Sequence, residues 1–216
     1  LFKLDVWVHV NGCIGDSAIS VNLGYYDNLI KSSQEALNEA IKIIQIDTEL
    51  REIGKTINEV IKSYNFNPIK NLSGHEIKEY EQHAGLTIPN YDNGDKTKLK
   101  DGQIIAIEPF ATTGIGFVKD SKPSAIYILE NAKQVRNDTT RKILKYIIDE
   151  YNTLPFAKRW LIKKFSEFEV NFALRMLEKE GLISEYKELV EKSNGIVSQS
   201  ENTLMIGKNI KILTKR

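Results

Sequence analysis

Cysteine is nearly absent from this 216-residue chain. Cys13 stands alone, so an intrachain disulfide and a cysteine-based zinc site are both excluded, and the expected setting is a reducing compartment, the cytoplasm. An excess of one charge is also missing. Thirty basic against 29 acidic residues give a formal charge of +1, so no global field draws the chain to a polyanion such as DNA. No apolar run approaches the roughly 18 residues of a membrane span. A starting methionine, cap or turn is missing too: Leu1-Phe2-Lys3-Leu4-Asp5-Val6 reads as the middle of a strand, which points to a fragment lacking its N-terminal part. Lys3 and Asp5 interrupt the apolar residues there, which excludes a signal peptide.

What is present is enough apolar sequence to bury a real core in one or two domains. Asn11-Gly12, between two β-rich runs extending from Leu1 to about Leu23, is a hairpin signal. Leu29, Ile30, Ser33, Ala36, Leu37, Ala40, Ile41 and Ile44 recur at helical spacing, and Ile53, Ile57, Val60 and Ile61 mark a second helix. These helices should cover a sheet. Asn65 to Lys100 is rich in Asn, Gly, Pro and Asp and reads as short strands and loops. Ile104-Ile105-Ala106-Ile107, closed by Glu108-Pro109, reads as a strand buried on both faces. From Ala132 to Ser193 the pattern becomes helical with little strand: Asp138 should cap one helix, Pro155 start a second, and Ser166-Glu167-Phe168-Glu169 form a capping box, with Gly181 at a helix end. Strand character returns at Ile196 to Ile206 and at Ile210 to Leu213. The expected organisation is therefore a β-containing domain of residues 1–131 and 194–216 with a helical subdomain, 132–193, inserted in it.

The hairpin register sets Trp7 opposite Asp16 and Asp5 opposite Ala18, so Asp5 and Asp16 are diagonal neighbours on one face, about 7 Å apart or less at Cβ. Leu4, Val6 and Val8 on the other face read as a core stripe. His9 shares the face of Asp5 and Trp7 and is read as structural. Taken alone, each acidic residue has an ordinary explanation: Asp5 and Asp16 could edge a solvated face, and Glu108 and Glu201 could each pair with a basic side chain. His75 and His83 could be surface histidines. The combination of Asp5, Asp16, His75, Glu108 and Glu201 changes this reading, because hard oxygen ligands with one imidazole can hold two divalent ions about 3.5 to 4 Å apart. No Ser-His-Asp order competes, and Gly12-Cys13-Ile14-Gly15 and Gly114-Ile115-Gly116 lack the strand-to-helix context of a phosphate loop.

Lys3-Leu4-Asp5, Gly15-Asp16-Ser17-Ala18, Asn71-Leu72-Ser73-Gly74-His75, His83-Ala84-Gly85, Ile107-Glu108-Pro109-Phe110-Ala111-Thr112-Thr113-Gly114 and Gln199-Ser200-Glu201-Asn202-Thr203 resemble the type II methionine aminopeptidases of the pita-bread metallopeptidase fold. The resemblance, archaeal-like, covers essentially the whole chain. It implies an α+β fold, an antiparallel sheet covered by helices, carrying an inserted helical, winged-helix-like subdomain that separates type II from type I enzymes and from prolidases. It implies that Asp5, Asp16, His75, Glu108 and Glu201 bind two divalent ions (Co, Mn, Fe or Zn), with Asp16 and Glu201 shared between them. A hydroxide held between the ions would attack the first peptide carbonyl, Glu108 would take a proton, and His83 would contact the substrate. Removal of the initiator methionine from nascent polypeptides near the ribosome, by a monomer, is the implied activity. A further substrate-binding histidine of the family, ahead of the position of Leu1, has no counterpart here. Two other readings compete. A noncatalytic pita-bread protein binding protein or RNA is opposed by the presence of all five ligand positions. A DNA-binding insert rests on 13 basic against 10 acidic residues from Ala132 to Ser193, a weak bias.

Overall fold

The computed structural model describes residues 1–214. At the first turn Asn11 and Gly12 both have positive φ, 49° and 84°, the backbone a two-residue turn needs to match the right-handed twist of its strands. It joins β1 (Phe2–Val10) to β2 (Cys13–Val21) in the expected register, with Trp7 opposite Asp16 and Asp5 opposite Ala18. The helical spacing becomes α1 (Asp27–Ile43) and α2 (Leu50–Ser63), which bury Leu29, Ala36 and Leu37, and Ile53, Ile57 and Ile61. Short strands follow: β3 (Asn67–Pro68), β4 (Ser73–Ile77), β5 (Thr87–Pro89), β6 (Ile104–Ile107) and β7 (Phe110–Thr112). The chain continues through β8 (Val118–Leu129), α3 (Asp138–Tyr151), β9 (Phe156–Ala157), α4 (Lys158–Ile162), α5 (Glu167–Lys179) and β10 (Ile183–Glu191). It then forms β11 (Val197–Gln199), β12 (Asn202–Met205) and β13 (Lys211–Ile212).

One compact unit comprises Leu1–Lys119 and the chain from Val190 onward. Its largest sheet has the order β13-β12-β6-β4-β5, and a smaller one the order β11-β7-β3. The apolar stripes of α1 and α2 share a core with Ile88, Ile105, Ile107 and Leu204 from the strands, which is how the two helices cover the sheets. The faces of the first hairpin differ from the expectation. Leu4, Val6 and Val8 form no core stripe and are 47 %, 44 % and 62 % exposed. Burial falls on the face of β2 carrying Ile14, Asp16, Ala18 and Ser20, because β2 packs against β11 and β12. The carboxylate-bearing face is thus the inner one.

Close strand approach explains one glycine. A Cβ on Gly74 would lie 2.2 Å from the carbonyl oxygen of Ala106, so β4 and β6 meet where no side chain fits. Gly74→Ala is expected to force the strands apart and lower stability by about 1–3 kcal/mol. Because His75 follows directly, divalent-ion affinity should fall as well. Urea melts beside metal titrations of the same variant read both effects.

The second compact unit is Asp120–Leu189. Its sheet has the order β10-β8-β9, and its core is Ile143, Ile147, Phe156, Leu161, Leu174 and neighbours. Strand content here exceeds what the sequence pattern indicated, and the unit begins ahead of residue 132 because β8 leads into it. The nine-residue β10 carries Glu185, Lys187 and Glu188, too many charges to read as a strand. Asn137, not Asp138, caps α3, its side chain accepting the N–H of Thr140. Pro155 leads into β9 rather than a helix. The Ser166/Glu169 capping box is formed, and Gly181, φ 67°, follows α5.

Candidate metal centre

Sheet register brings two glutamates together. In the β6–β12 pair, Ala106 faces Thr203 and Ile107 faces Asn202, so Glu108 and Glu201 occupy the next rung, just past the paired residues. His75 faces Ala106 from β4. Directly opposed residues share a face and period 2 carries it along each strand, so His75, Glu108 and Glu201 converge at one end of the sheet. The hairpin adds Asp16. Its backbone N–H donates to Thr203 Oγ1 at 2.8 Å, and the same hydroxyl donates back to the Asp16 carbonyl at 2.7 Å. Glu201 N–H donates to the Ala18 carbonyl at 3.0 Å, and Ser17 Oγ donates to the Glu201 carbonyl. The segments carrying Asp16 and Glu201 are therefore fastened together through Thr203, Ala18 and Ser17, bonds that use neither carboxylate.

Ligand atoms of Asp16, His75 and Glu201 all lie within 4.8 Å of one another. His75 Nε2 is 3.8 Å from Asp16 Oδ2 and 3.7 Å from Glu108 Oε1. Those distances are long for hydrogen bonds but suit ligands that share an ion, since each would be about 2.1 Å from it. Asp5 lies outside the tight trio and is exposed. It is joined to the centre through Gln199, whose Nε2 donates to Asp5 Oδ2 at 3.0 Å and Glu108 Oε2 at 3.2 Å. His83 stands edge-on to His75, ring centroids 4.4 Å apart.

The electrostatics are those of crowded, desolvated acids. Burial, with Asp5 opposing ionisation as well, raises the Asp16 carboxyl to about 6, although a hydrogen bond from Gln82 works the other way. Burial, then Asp16 and Asp5, push Glu108 well above the usual carboxylate range. Glu201 is raised by burial and by Glu108, Asp16 and Asp5. Burial lowers His75 to about 4, helped by His83, so its imidazole is neutral at pH 7 and can serve as a ligand. Partial desolvation lowers His83 too.

Lys3 is near enough to favour the ionised form of Glu108, but burial and the neighbouring acids outweigh it. Glu201 Oε2 is buried with no hydrogen-bond partner, and no lysine or arginine among the described residues forms an ion pair with Asp16, Glu108 or Glu201. An orphaned buried carboxylate oxygen is expensive, and a divalent ion would satisfy it and remove the mutual repulsion. The donor set fits such ions.

Three supporting residues had no role assigned from the sequence: Gln199 and Thr203, quoted only as part of the motif around Glu201, and Gln82. Gln82 Nε2 donates to Asp16 Oδ2 at 3.1 Å. Gln199 and Thr203 lie two residues to either side of Glu201, so period 2 could have marked both as sharing its face. Nothing in the sequence marks Gln82.

Comparison with known proteins agrees with this chemistry. The model of metallopeptidase family M24 matches residues 1–141. The methionine aminopeptidase of Thermococcus onnurineus is 45 % identical over 208 residues, covering 95 % of this chain and 70 % of that protein. A thermophilic Arx1 structure superimposes with TM-score 0.79 at 17 % identity, covering 97 % of this chain and 65 % of that one. A methionine aminopeptidase structure from Thermotoga maritima superimposes with TM-score 0.62 at 22 % identity, covering 99 % and 63 %. These two likenesses speak to the pita-bread architecture, and the chain spans less than two thirds of either solved chain.

Proposed function

We propose, from the premise that this chain belongs to metallopeptidase family M24, that it is a metalloaminopeptidase removing the N-terminal methionine of newly made polypeptides. Asp5, Asp16, His75, Glu108 and Glu201 are its ligands for two divalent ions. The observation that carries this reading is the orphaned Glu201 Oε2 among buried carboxylates whose pKa values are raised. The substrate comes from the Thermococcus relative, a methionine aminopeptidase.

Divalent ions held there supply Lewis acidity, which acidifies water and polarises a carbonyl group. The other tasks fall to side chains. Asp16 and Glu201, on segments fastened together by hydrogen bonds, would help to hold both ions. Glu108, whose carboxyl burial and the neighbouring Asp16 and Asp5 push well above the usual range, is the group to accept a proton and return it to the leaving amine. Gln199 keeps the Glu108 carboxylate turned toward Asp5 while this happens. His83, exposed beside His75, is placed to hydrogen-bond the first carbonyl of the substrate.

The test uses Met-Ala-Ser and its N-acetylated form with the metal-loaded chain. Methionine should be released from the free peptide only, since an aminopeptidase needs the amine. His83→Ala should lower kcat about 100-fold or more while bound ion, measured by elemental analysis, stays at the wild-type level. Equal cleavage of both peptides, or of neither, would overturn the reading.

A further inference from the structure

Asp16, His75 and Glu201 are buried, whereas Asp5 on β1 and His83 beside His75 are exposed, so Asp5 and His83 mark where solvent meets the metal centre. Beyond Asp5 on the same face come Trp7, directly opposite Asp16, and then His9, opposite Ile14. Their rings stack, with centroids 6.3 Å apart and planes at 27°. Tyr80 continues the row, its ring 6.3 Å from His9. The row is anchored at the hairpin turn. Tyr80 N–H donates to the Gly12 carbonyl at 3.0 Å, Gly12 N–H donates to His9 Nδ1 at 3.4 Å, and a Cβ on Gly12 would strike the Tyr80 ring at 2.4 Å. Three rings from two separate segments therefore form one ledge leading away from the metal ligands. His9 is exposed and Trp7 and Tyr80 are partly so.

We propose that Trp7, His9 and Tyr80 form an extended subsite for the third to fifth residues of the substrate polypeptide. The inference rests on the aminopeptidase reading, because the occupant is the chain that follows the scissile bond. Its length fits. The ring centroids step 6.3 Å from Trp7 to His9 and 6.3 Å from His9 to Tyr80, a ledge long enough for about three extended residues at about 3.3 Å each. Its chemistry fits as well. Ring faces bind apolar and aromatic side chains, and exposed Glu79 and Glu81 flanking Tyr80 favour a basic residue at the far end. The ledge adds affinity for polypeptides over dipeptides without touching the bond that is cleaved.

The experiment compares kcat/KM for Met-Ala-Ser-Phe-Lys and for Met-Ala with the metal-loaded chain. The ratio should be at least about tenfold in favour of the longer peptide, the contribution of one or two ring contacts. His9→Ala should bring it to within about threefold of one, and His9→Phe, which restores a ring, should recover most of it. A binding measurement separates this inference from the reading beneath it. Trp7 and Trp160 are the two tryptophans, so in a Trp160→Phe background the indole signal belongs to Trp7. It should change on titration with a five-residue peptide whose first amide is reduced to an amine, which cannot be cleaved there, and much less with the equivalent dipeptide. If no peptide is cleaved but the long analogue still perturbs Trp7 at lower concentration than the short one, the aminopeptidase reading fails and the ledge stands. A cleavage ratio near one in the wild type, or no difference between the two analogues, overturns the ledge.

Discussion

Glu201→Gln is expected to weaken divalent-ion binding by more than about 100-fold and to abolish methionine release, yet to make the metal-free chain more stable. Both directions follow from one carboxylate. Altering groups that merely support a ligand costs about 10- to 100-fold in metal affinity, and replacing a central ligand should cost more. Without metal, the same carboxyl is buried, pushed far above its ordinary range by burial and by Glu108, Asp16 and Asp5, and leaves one oxygen without a partner. Either it takes up a proton or it repels its neighbours, and both are unfavourable. An amide of the same shape removes that burden, so the metal-free variant should gain roughly 1–3 kcal/mol. Calorimetric metal titration beside urea melts of the metal-free proteins reads the two effects. A purely structural glutamate would lose stability on substitution, and that outcome would remove Glu201 from the centre.

Between pH 7 and 9 the metal-free chain should lose stability as pH rises, and saturating divalent ion should flatten or reverse the trend. The sign follows from proton counts. A carboxyl whose folded pKa is raised contributes most below its unfolded value, and that contribution is lost as pH climbs toward the folded value. Glu201 is raised to about 11 by burial and by Glu108, Asp16 and Asp5, so the folded state holds a proton there that the unfolded state has released, and Glu108 is raised in the same direction by burial and its acidic neighbours. The slope should be about 1.4 kcal/mol per pH unit for each such group. At lower pH the picture is mixed: Asp16, raised to about 6, acts in the same direction, but His75, lowered to about 4, makes stability rise with pH up to about 6.5. Bound metal requires the deprotonated ligands, so its stabilisation grows with pH. Urea midpoints across this range, with and without Mn²⁺, are the measurement. A flat metal-free profile would contradict the raised pKa values.

The parts of the fold set by local rules were legible, and those set by packing were not. Asn11-Gly12 has only a few ways to turn, so the pairing of Trp7 with Asp16 could be read from the sequence and is found in the structure. Which face of that hairpin is inner could not. Leu4, Val6 and Val8 are the apolar choice, but burial went to the face of Asp16, Ala18 and Ser20 because the hydroxyls of Thr203 and Ser17 fasten the hairpin to β12 and to Glu201 just ahead of it. Apolar alternation ranks faces by hydrophobicity alone and is blind to such polar fastening. The same limit hid β10, whose charged residues conceal its strand, and Gln82, a glutamine in a loop until the fold sets it beside Asp16. The convergence of Asp16, His75, Glu108 and Glu201 was expected from residue chemistry and resemblance. The structure adds its means: the unfinished rung at the end of β6 and β12.

The central claim is that this chain holds a pair of divalent ions and uses them to release methionine. Calorimetric titration of the metal-free wild type with Mn²⁺, with methionine release from Met-Ala-Ser followed at each addition, tests it most directly. The account predicts a total of two ions per chain and activity that rises as they bind. Saturating Mn²⁺ with no heat of binding and no methionine released would contradict it.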